Sequence, residues 1–339
     1  MPILDLHPYP VESVLVESIP EPSDWLWNGY LRPGDITLLT SQWKTGKTTL
    51  LAGLLGSFGT GAPFLDRAVR PARTWIVSEE SRSQWAERIR LMPLGPNVCL
   101  LSRPFLGRPT IDEWNLLIDR AIEARRAVGL DFFVVDPLAS FLPGRCESDA
   151  ATLLEALVPL RRLTNEGIAV LLLHHPRKKK SEVGSSARGS GALLGFVETS
   201  LELAGQGGNR RLIRAQSRRA GVPARLAYEW NPATGAFAVT ADPRLREMEE
   251  HWQTILDILK GRTDGITHKE IAQYWPEEEK PSPSALYHWL NLAFDRKLIR
   301  RGGSGTKNDP WRYRLENEDD QYHDRGELPP LKPLEPLRW

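Results

Sequence analysis

Ser41-Gln42-Trp43-Lys44-Thr45-Gly46-Lys47-Thr48-Thr49 lies between the apolar run Ile36-Thr37-Leu38-Leu39 and the apolar run Leu50-Leu51-Ala52-Gly53-Leu54-Leu55. The first run reads as a strand and the second as a helix, so the residues between them form a tight loop that opens the helix. Gly-Lys-Thr at a helix N-terminus turns backbone N–H groups toward phosphate oxygens. The loop Ser41, Gln42, Trp43, Lys44, Thr45, Gly46, Lys47, Thr48 and Thr49 therefore reads as a nucleotide cradle. Lys47 would reach the β- and γ-phosphates, and Thr48 would offer its hydroxyl to Mg²⁺. The first glycine of the usual pattern is replaced by Ser41. The tripeptide alone is a weak signal, because it also occurs in unrelated loops; the flanking strand and helix give it weight.

Outward from this loop, short apolar runs alternate with helical patterns. Strands are expected at 74–77, 98–101, 130–136 and 167–173, with helices at 47–58, 111–127 and 151–162 and around Trp85 and Ile89. This alternation predicts an α/β fold with a mainly parallel sheet and helices on both faces. The runs 210–216, 224–230 and 236–239 read as antiparallel strands closing the domain. An apolar segment at 193–203 precedes them.

Hydrolysis of a nucleotide needs a magnesium site and a group that aligns water. Phe132-Phe133-Val134-Val135-Asp136 puts a carboxylate at the tip of a buried strand, where it would hold Mg²⁺ opposite Thr48. The alternative is an aspartate that only ends a strand before Pro137. Glu79, at another strand tip, is the candidate for polarising water, with Glu80 as competitor. The two glutamates also suit the first turn of a helix, where the dipole favours acids. His174 and His175 end a further strand. His175 is the preferred sensor of the γ-phosphate, since no cysteine or third histidine makes a metal site there. After it come Arg177, Lys178, Lys179 and Lys180, then a glycine-rich stretch with Arg188, which read as a basic loop beside the site.

Together these residues resemble the RecA-like P-loop ATPases of the RepA-type hexameric replicative helicase family. The likeness rests on Lys44-Thr45-Gly46-Lys47-Thr48-Thr49, Ser78-Glu79-Glu80-Ser81, Val134-Val135-Asp136, Leu173-His174-His175-Pro176-Arg177-Lys178 and Arg188-Gly189-Ser190-Gly191-Ala192, and covers residues 25–240. It implies ATP and Mg²⁺ as cofactors, Lys47 and Glu79 as catalytic residues, and active sites shared between subunits of a homo-oligomer. It also implies a basic group that reaches the neighbour's site. The family's Lys-x-Arg appears here as Ser217-Arg218-Arg219, with Arg219 in the arginine place. Two loops, 140–149 and 177–188, would meet single-stranded DNA.

Composition narrows the remaining choices. A net charge of +1 over 339 residues neither requires nor excludes nucleic acid, because local patches matter more than the sum. Cys99 and Cys146 form neither a metal spacing nor a disulfide framework, and no run is long and apolar enough for a membrane span. With no signal-peptide pattern, a cytoplasmic protein without membrane contact is expected.

The expected organisation is an N-terminal arm (1–24), an ATPase domain (25–240), a charged linker (241–250), a winged-helix domain (251–315) and an acidic, proline-rich tail (316–339). In the winged helix, Thr267 with Glu270 marks one helix start, Ser282 or Ser284 another, and residues 298–315 a hairpin. Its tip and flanks, with Arg301 and Lys307, would meet the phosphates of duplex DNA. The leading reading is a DNA-dependent, helicase-like ATPase in replication or recombination of a bacterial or mobile element. The alternative is a nucleotide-switched DNA-binding adaptor or loader that does not unwind. A small-molecule kinase is disfavoured by the basic loop and the appended domain.

Overall fold

The computed structural model describes residues 25–143, 150–175, 191–306 and 309–315. The expected arm at 1–24, the loop residues 144–149, Arg177, Lys178, Lys179, Lys180, Arg188, Lys307 and the tail at 316–339 lie outside the described residues. The chain divides into two compact units that meet between Thr240 and Ala241.

The first unit is built on nine strands: β1 (Ile36–Ser41), β2 (Thr74–Ser78), β3 (Val98–Ser102), β4 (Phe132–Asp136), β5 (Ala169–His174), β6 (Thr199–Gly205), β7 (Arg210–Ser217), β8 (Arg225–Trp230) and β9 (Phe237–Thr240). They form one sheet in the order β3-β2-β4-β5-β1-β6-β7-β8-β9. The strands from β3 to β6 are parallel; β7, β8 and β9 extend the sheet in antiparallel fashion. Every residue of β1 and of β4 is buried, as expected for strands covered on both faces. Alternate side chains feed two cores. Leu39, Phe132, Val134, Leu171 and Leu201 pack on one face, and Ile36, Leu38, Phe133, Val135 and Leu172 on the other.

Helix α1 (Lys47–Thr60) follows the loop after β1 and buries Leu50, Leu51, Leu54, Leu55 and Phe58 on the first of these faces. It ends at Gly61, whose φ of 73° suits a glycine C-cap and whose N–H donates to the Ser57 carbonyl. Helix α2 (Arg82–Leu91) starts with a reciprocal capping box between Ser81 and Gln84. Helix α3 (Ile111–Val128), capped in the same way by Thr110 and Glu113, covers the second face with Trp114, Ile118 and Ala121. The helix expected at 151–162 is divided into α5 (Ala150–Leu157), a 3-10 turn at Val158–Leu160 and α6 (Arg161–Asn165). Pro159 in that turn has no N–H to continue the ladder. A short helix α4 (Leu138–Phe141) follows β4. The apolar segment at 193–203 resolves into α7 (Gly191–Phe196) and β6.

The second unit has its own core of Leu245, Met248, Ile255, Ile271, Leu286, Trp289, Leu290 and Tyr313. Its helices are α8 (Pro243–Glu250), α9 (Trp252–Leu259), α10 (His268–Tyr274) and α11 (Pro283–Asp295). Thr267 caps α10 in a box with Glu270, and Ser282 caps α11. Three short strands, β10 (Ile266–Thr267), β11 (Arg300–Gly302) and β12 (Arg312–Arg314), form a sheet in the order β10-β12-β11. The segment 241–250, expected as a linker, is corrected here: it is helical, started by the Asp242 side chain, and anchored by buried Leu245 and Met248. Its charge count hid the two apolar residues three apart that make it a core element. Among the described residues no helix is long and apolar enough to cross a membrane.

Candidate active site

The C-terminal ends of β1, β2, β4 and β5 lie side by side in the sheet, and each delivers one candidate group. The loop after β1 turns through Lys44 (φ 60°) and Gly46 (φ 102°). The second angle favours glycine. Lys44 holds a left-handed conformation without being glycine, a strain that tends to persist at functional loops. Trp43 is 69% exposed, and the Lys44 Nζ sits 4.3 Å above its ring.

Lys47 is buried, and its Nζ lies 2.8 Å from Ser41 Oγ and 2.9 Å from His175 Nδ1. Ser41 Oγ in turn donates to the Gln42 carbonyl at 2.8 Å. The serine that replaces the usual glycine thus gives the lysine an oxygen partner. Burial pulls the Lys47 ammonium down to about 8, partly offset by Asp136. His175 is likewise held below its ordinary value by burial and then by Lys47, with Glu79 opposing. A neutral imidazole with Nδ1 as acceptor fits this position.

Thr48 Oγ1 donates to Asp136 Oδ2 at 2.9 Å. Asp136 is 5% exposed, and burial raises its carboxyl to about 6, against the Thr48 hydrogen bond. A hydroxyl beside a buried, poorly solvated carboxylate is an all-oxygen donor pair that suits Mg²⁺, which keeps several waters and phosphate oxygens as its other ligands. Among the described residues no group of three or more His, Cys, Asp and Glu is placed to hold a metal without a nucleotide.

The two adjacent glutamates have different surroundings. Glu80 forms a two-point ion pair with Arg88, and its carbonyl accepts from Ser102 Oγ at 2.7 Å. Glu79 is exposed; its N–H donates to the Asp136 carbonyl, and its carboxylate accepts from Ser140 Oγ. Of the two, Glu79 is the one whose carboxylate is not committed to a guanidinium.

Two arginines define opposite ends of β7. Arg211, which the sequence reading did not single out, donates from Nε to the Thr45 carbonyl at 2.7 Å and so ties β7 to the phosphate loop. Arg219 lies past the other end of β7. It makes a two-point ion pair with Asp35, which is 3% exposed and precedes β1. β1 separates Asp35 from the loop by its whole length, roughly 20 Å at about 3.3 Å per residue. Lys47, Thr48, Asp136, Glu79 and His175 are therefore brought together, and Arg219 is not among them within one copy.

In the second unit Arg301 is taken up internally. Its guanidinium lies 4.2 Å from the Phe294 ring and 4.1 Å from the Trp311 ring, and it donates to Asn291 Oδ1 at 2.8 Å. Half-buried Arg301 is thus braced within its own unit by two rings and an amide oxygen. Arg300, Arg312 and Arg314 are the exposed arginines of this small sheet.

A family model described as AAA domain matches residues 4–181, just over half of the chain. The chain belongs to that family. No curated protein matches it. The AAA domain here is a RecA-like P-loop NTPase domain, an enzyme domain of the ATP-hydrolysing kind, and its strand–loop–helix at 36–60 is the part that carries the phosphate loop. Its donor set is consistent with ATP and Mg²⁺.

Proposed function

We propose that this protein is a DNA-dependent, helicase-like ATPase that works as a homo-oligomer in replication or recombination of a bacterial or mobile element, akin to the RepA-type helicases. The observation that carries the hydrolytic part is the convergence of Lys47, Thr48, Asp136 and Glu79 at one end of the parallel sheet. On this reading Lys47 leaves His175 for the β- and γ-phosphates, freeing the imidazole to report on the γ-phosphate. Thr48 and Asp136 hold Mg²⁺, which when bound neutralises charge on the phosphate oxygens. Glu79 aligns the attacking water, and the products are ADP and phosphate. Arg219, remote from its own phosphate loop, serves the site of a neighbouring copy.

The DNA part rests on the sequence at Arg177, Lys178, Lys179, Lys180 and Arg188, which directly follows His175, and on the second unit. The helices and small antiparallel sheet of that unit are consistent with a winged helix. Tyr287, 40% exposed on α11, and the exposed Arg300, Arg312 and Arg314 suit a phosphate backbone. The adaptor or loader reading is favoured by one observation: Lys47 is already held by Ser41 and His175, which would slow turnover.

The test is steady-state ATP hydrolysis with no nucleic acid, single-stranded DNA or duplex DNA, for the wild type and Lys47→Ala. Single strands should stimulate the wild type most. Loss of the lysine should cut turnover by roughly 10²–10³-fold, as for removal of one preorganised charge. Slow turnover indifferent to DNA, with tight duplex binding, would replace the helicase-like reading by the adaptor.

A further inference from the structure

Glu79 can align water only if its carboxylate is held at a fixed place and angle, yet it sits at a strand tip with an exposed side chain. An exposed glutamate samples several rotamers, and ordering it costs side-chain entropy. Its backbone is fixed on two sides. The Glu79 N–H donates to the Asp136 carbonyl at 3.1 Å, and the Glu79 carbonyl accepts from Arg103 Nε at 2.8 Å. Arg103 stands at φ 50°, and its own N–H donates to the Ser78 carbonyl at 2.8 Å. Among the described residues, the side-chain hydrogen bond to the carboxylate comes from Ser140 Oγ on Oε2, with half-buried Ser140 in α4. Helix α4 is fixed by Leu138 and Phe141, both in the core, directly after Asp136. One hydroxyl occupies one oxygen, and a carboxylate has acceptor sites to spare on the other.

We propose that Ser140 is a positioning residue for hydrolysis: its hydroxyl holds Glu79 Oε2 so that Oε1 faces the attacking water. This rests on the reading of Glu79 as the water-aligning group. The arrangement links the aim of Glu79 to the same strand end that carries Asp136, so the magnesium ligand and the water ligand are set by one rigid element. In this arrangement Ser140 acts through Glu79.

The experiment compares steady-state kinetics and ATP-analogue affinity for the wild type, Ser140→Ala, Ser140→Thr, Glu79→Gln and the double variant Glu79→Gln with Ser140→Ala. Ser140→Ala should lower kcat about tenfold, because a misaimed base loses part of the 10²–10⁴-fold it supplies. KM and analogue Kd should stay within about twofold, which a general loss of structure would not allow. Ser140→Thr, which keeps the hydroxyl, should recover most of kcat. Adding Ser140→Ala to Glu79→Gln should change nothing further, since both act through one carboxylate. If Glu79→Gln is inactive but Ser140→Ala turns over like the wild type, or faster, Ser140 does not position Glu79, while the Glu79 role stands. If Glu79→Gln keeps wild-type turnover, the Glu79 role falls and the inference falls with it.

Discussion

Lys47 and Asp136 are buried charges, and each is displaced in the direction that burial dictates. Asp136 rises from 3.8 to about 6, and Lys47 falls from 10.5 to about 8. Between these values both groups carry their charge in the nucleotide-free protein. Below about 6 Asp136 takes a proton and loses its grip on a divalent cation; above about 8 Lys47 loses the charge that phosphates need. Affinity for magnesium nucleotide should therefore be greatest between pH 6 and 8 and fall on either side, as titration by a fluorescent ATP analogue would show. The same displacement costs stability. Between pH 3.8 and 6 the unfolded chain releases the Asp136 proton while the folded one retains it, so stability drops as pH rises through that interval. The cost reaches roughly 3 kcal/mol at most by pH 7. Asp136→Asn should accordingly raise Tm at pH 7 without nucleotide while abolishing magnesium-dependent turnover. An unchanged or lower Tm would mean that the carboxylate is not penalised in the fold. Lys47, Thr48 and Asp136 were legible in the sequence because a strand–loop–helix pattern fixes where they stand. The Ser41–Lys47 contact and the different company of Glu79 and Glu80 were not, because side-chain rotamers depend on residues distant in the chain.

At the scale of elements, β7 is the strand whose role sequence patterning understates. Its sequence marks it only as one of the antiparallel strands that close the domain, and its register between β6 and β8 accompanies the Arg211 contact to the Thr45 carbonyl. The guanidinium also donates to the Gly208 and Arg210 carbonyls, so it fastens the phosphate loop to the turn between β6 and β7. Charge-assisted hydrogen bonds of this kind contribute about 1.5–3 kcal/mol. Arg211→Ala should weaken ATP-analogue binding by about tenfold or more, read by calorimetry, with little change in kcat at saturation. Unaltered affinity would show that the loop keeps its shape unaided. Other elements were hard to read for related reasons. The run at 193–203 is apolar enough for a strand or a helix, and the chain uses it for both, α7 and then β6. The segment 241–250 looked like a connector because six of its charged side chains outnumber Leu245 and Met248, which carry the packing. By contrast, Thr267 with Glu270 announced α10 correctly, since a capping box is local chemistry.

For the molecule as a whole, the placement of Arg219 is the decisive feature. Within one copy it sits at the start of β1 on buried Asp35, and the phosphate loop is at the other end of that strand. An arginine that serves hydrolysis from there must serve another copy's nucleotide. Asp35 would then act as its rigid support, and this sets how the idea is tested. Arg219→Ala would take the guanidinium from the buried Asp35 carboxylate and risks destabilising the fold. Arg219→Lys keeps a cation on Asp35 but loses the two-point geometry. The most direct measurement mixes Arg219→Lys protein with Glu79→Gln protein over a range of ratios and follows ATP turnover. A shared site predicts turnover above the sum of the two separate preparations, with a maximum at intermediate ratios. In mixed assemblies some interfaces then combine an intact Glu79 with an intact neighbouring Arg219. Turnover that follows the simple dilution of each variant at every ratio would contradict the account and return the whole of catalysis to a single copy.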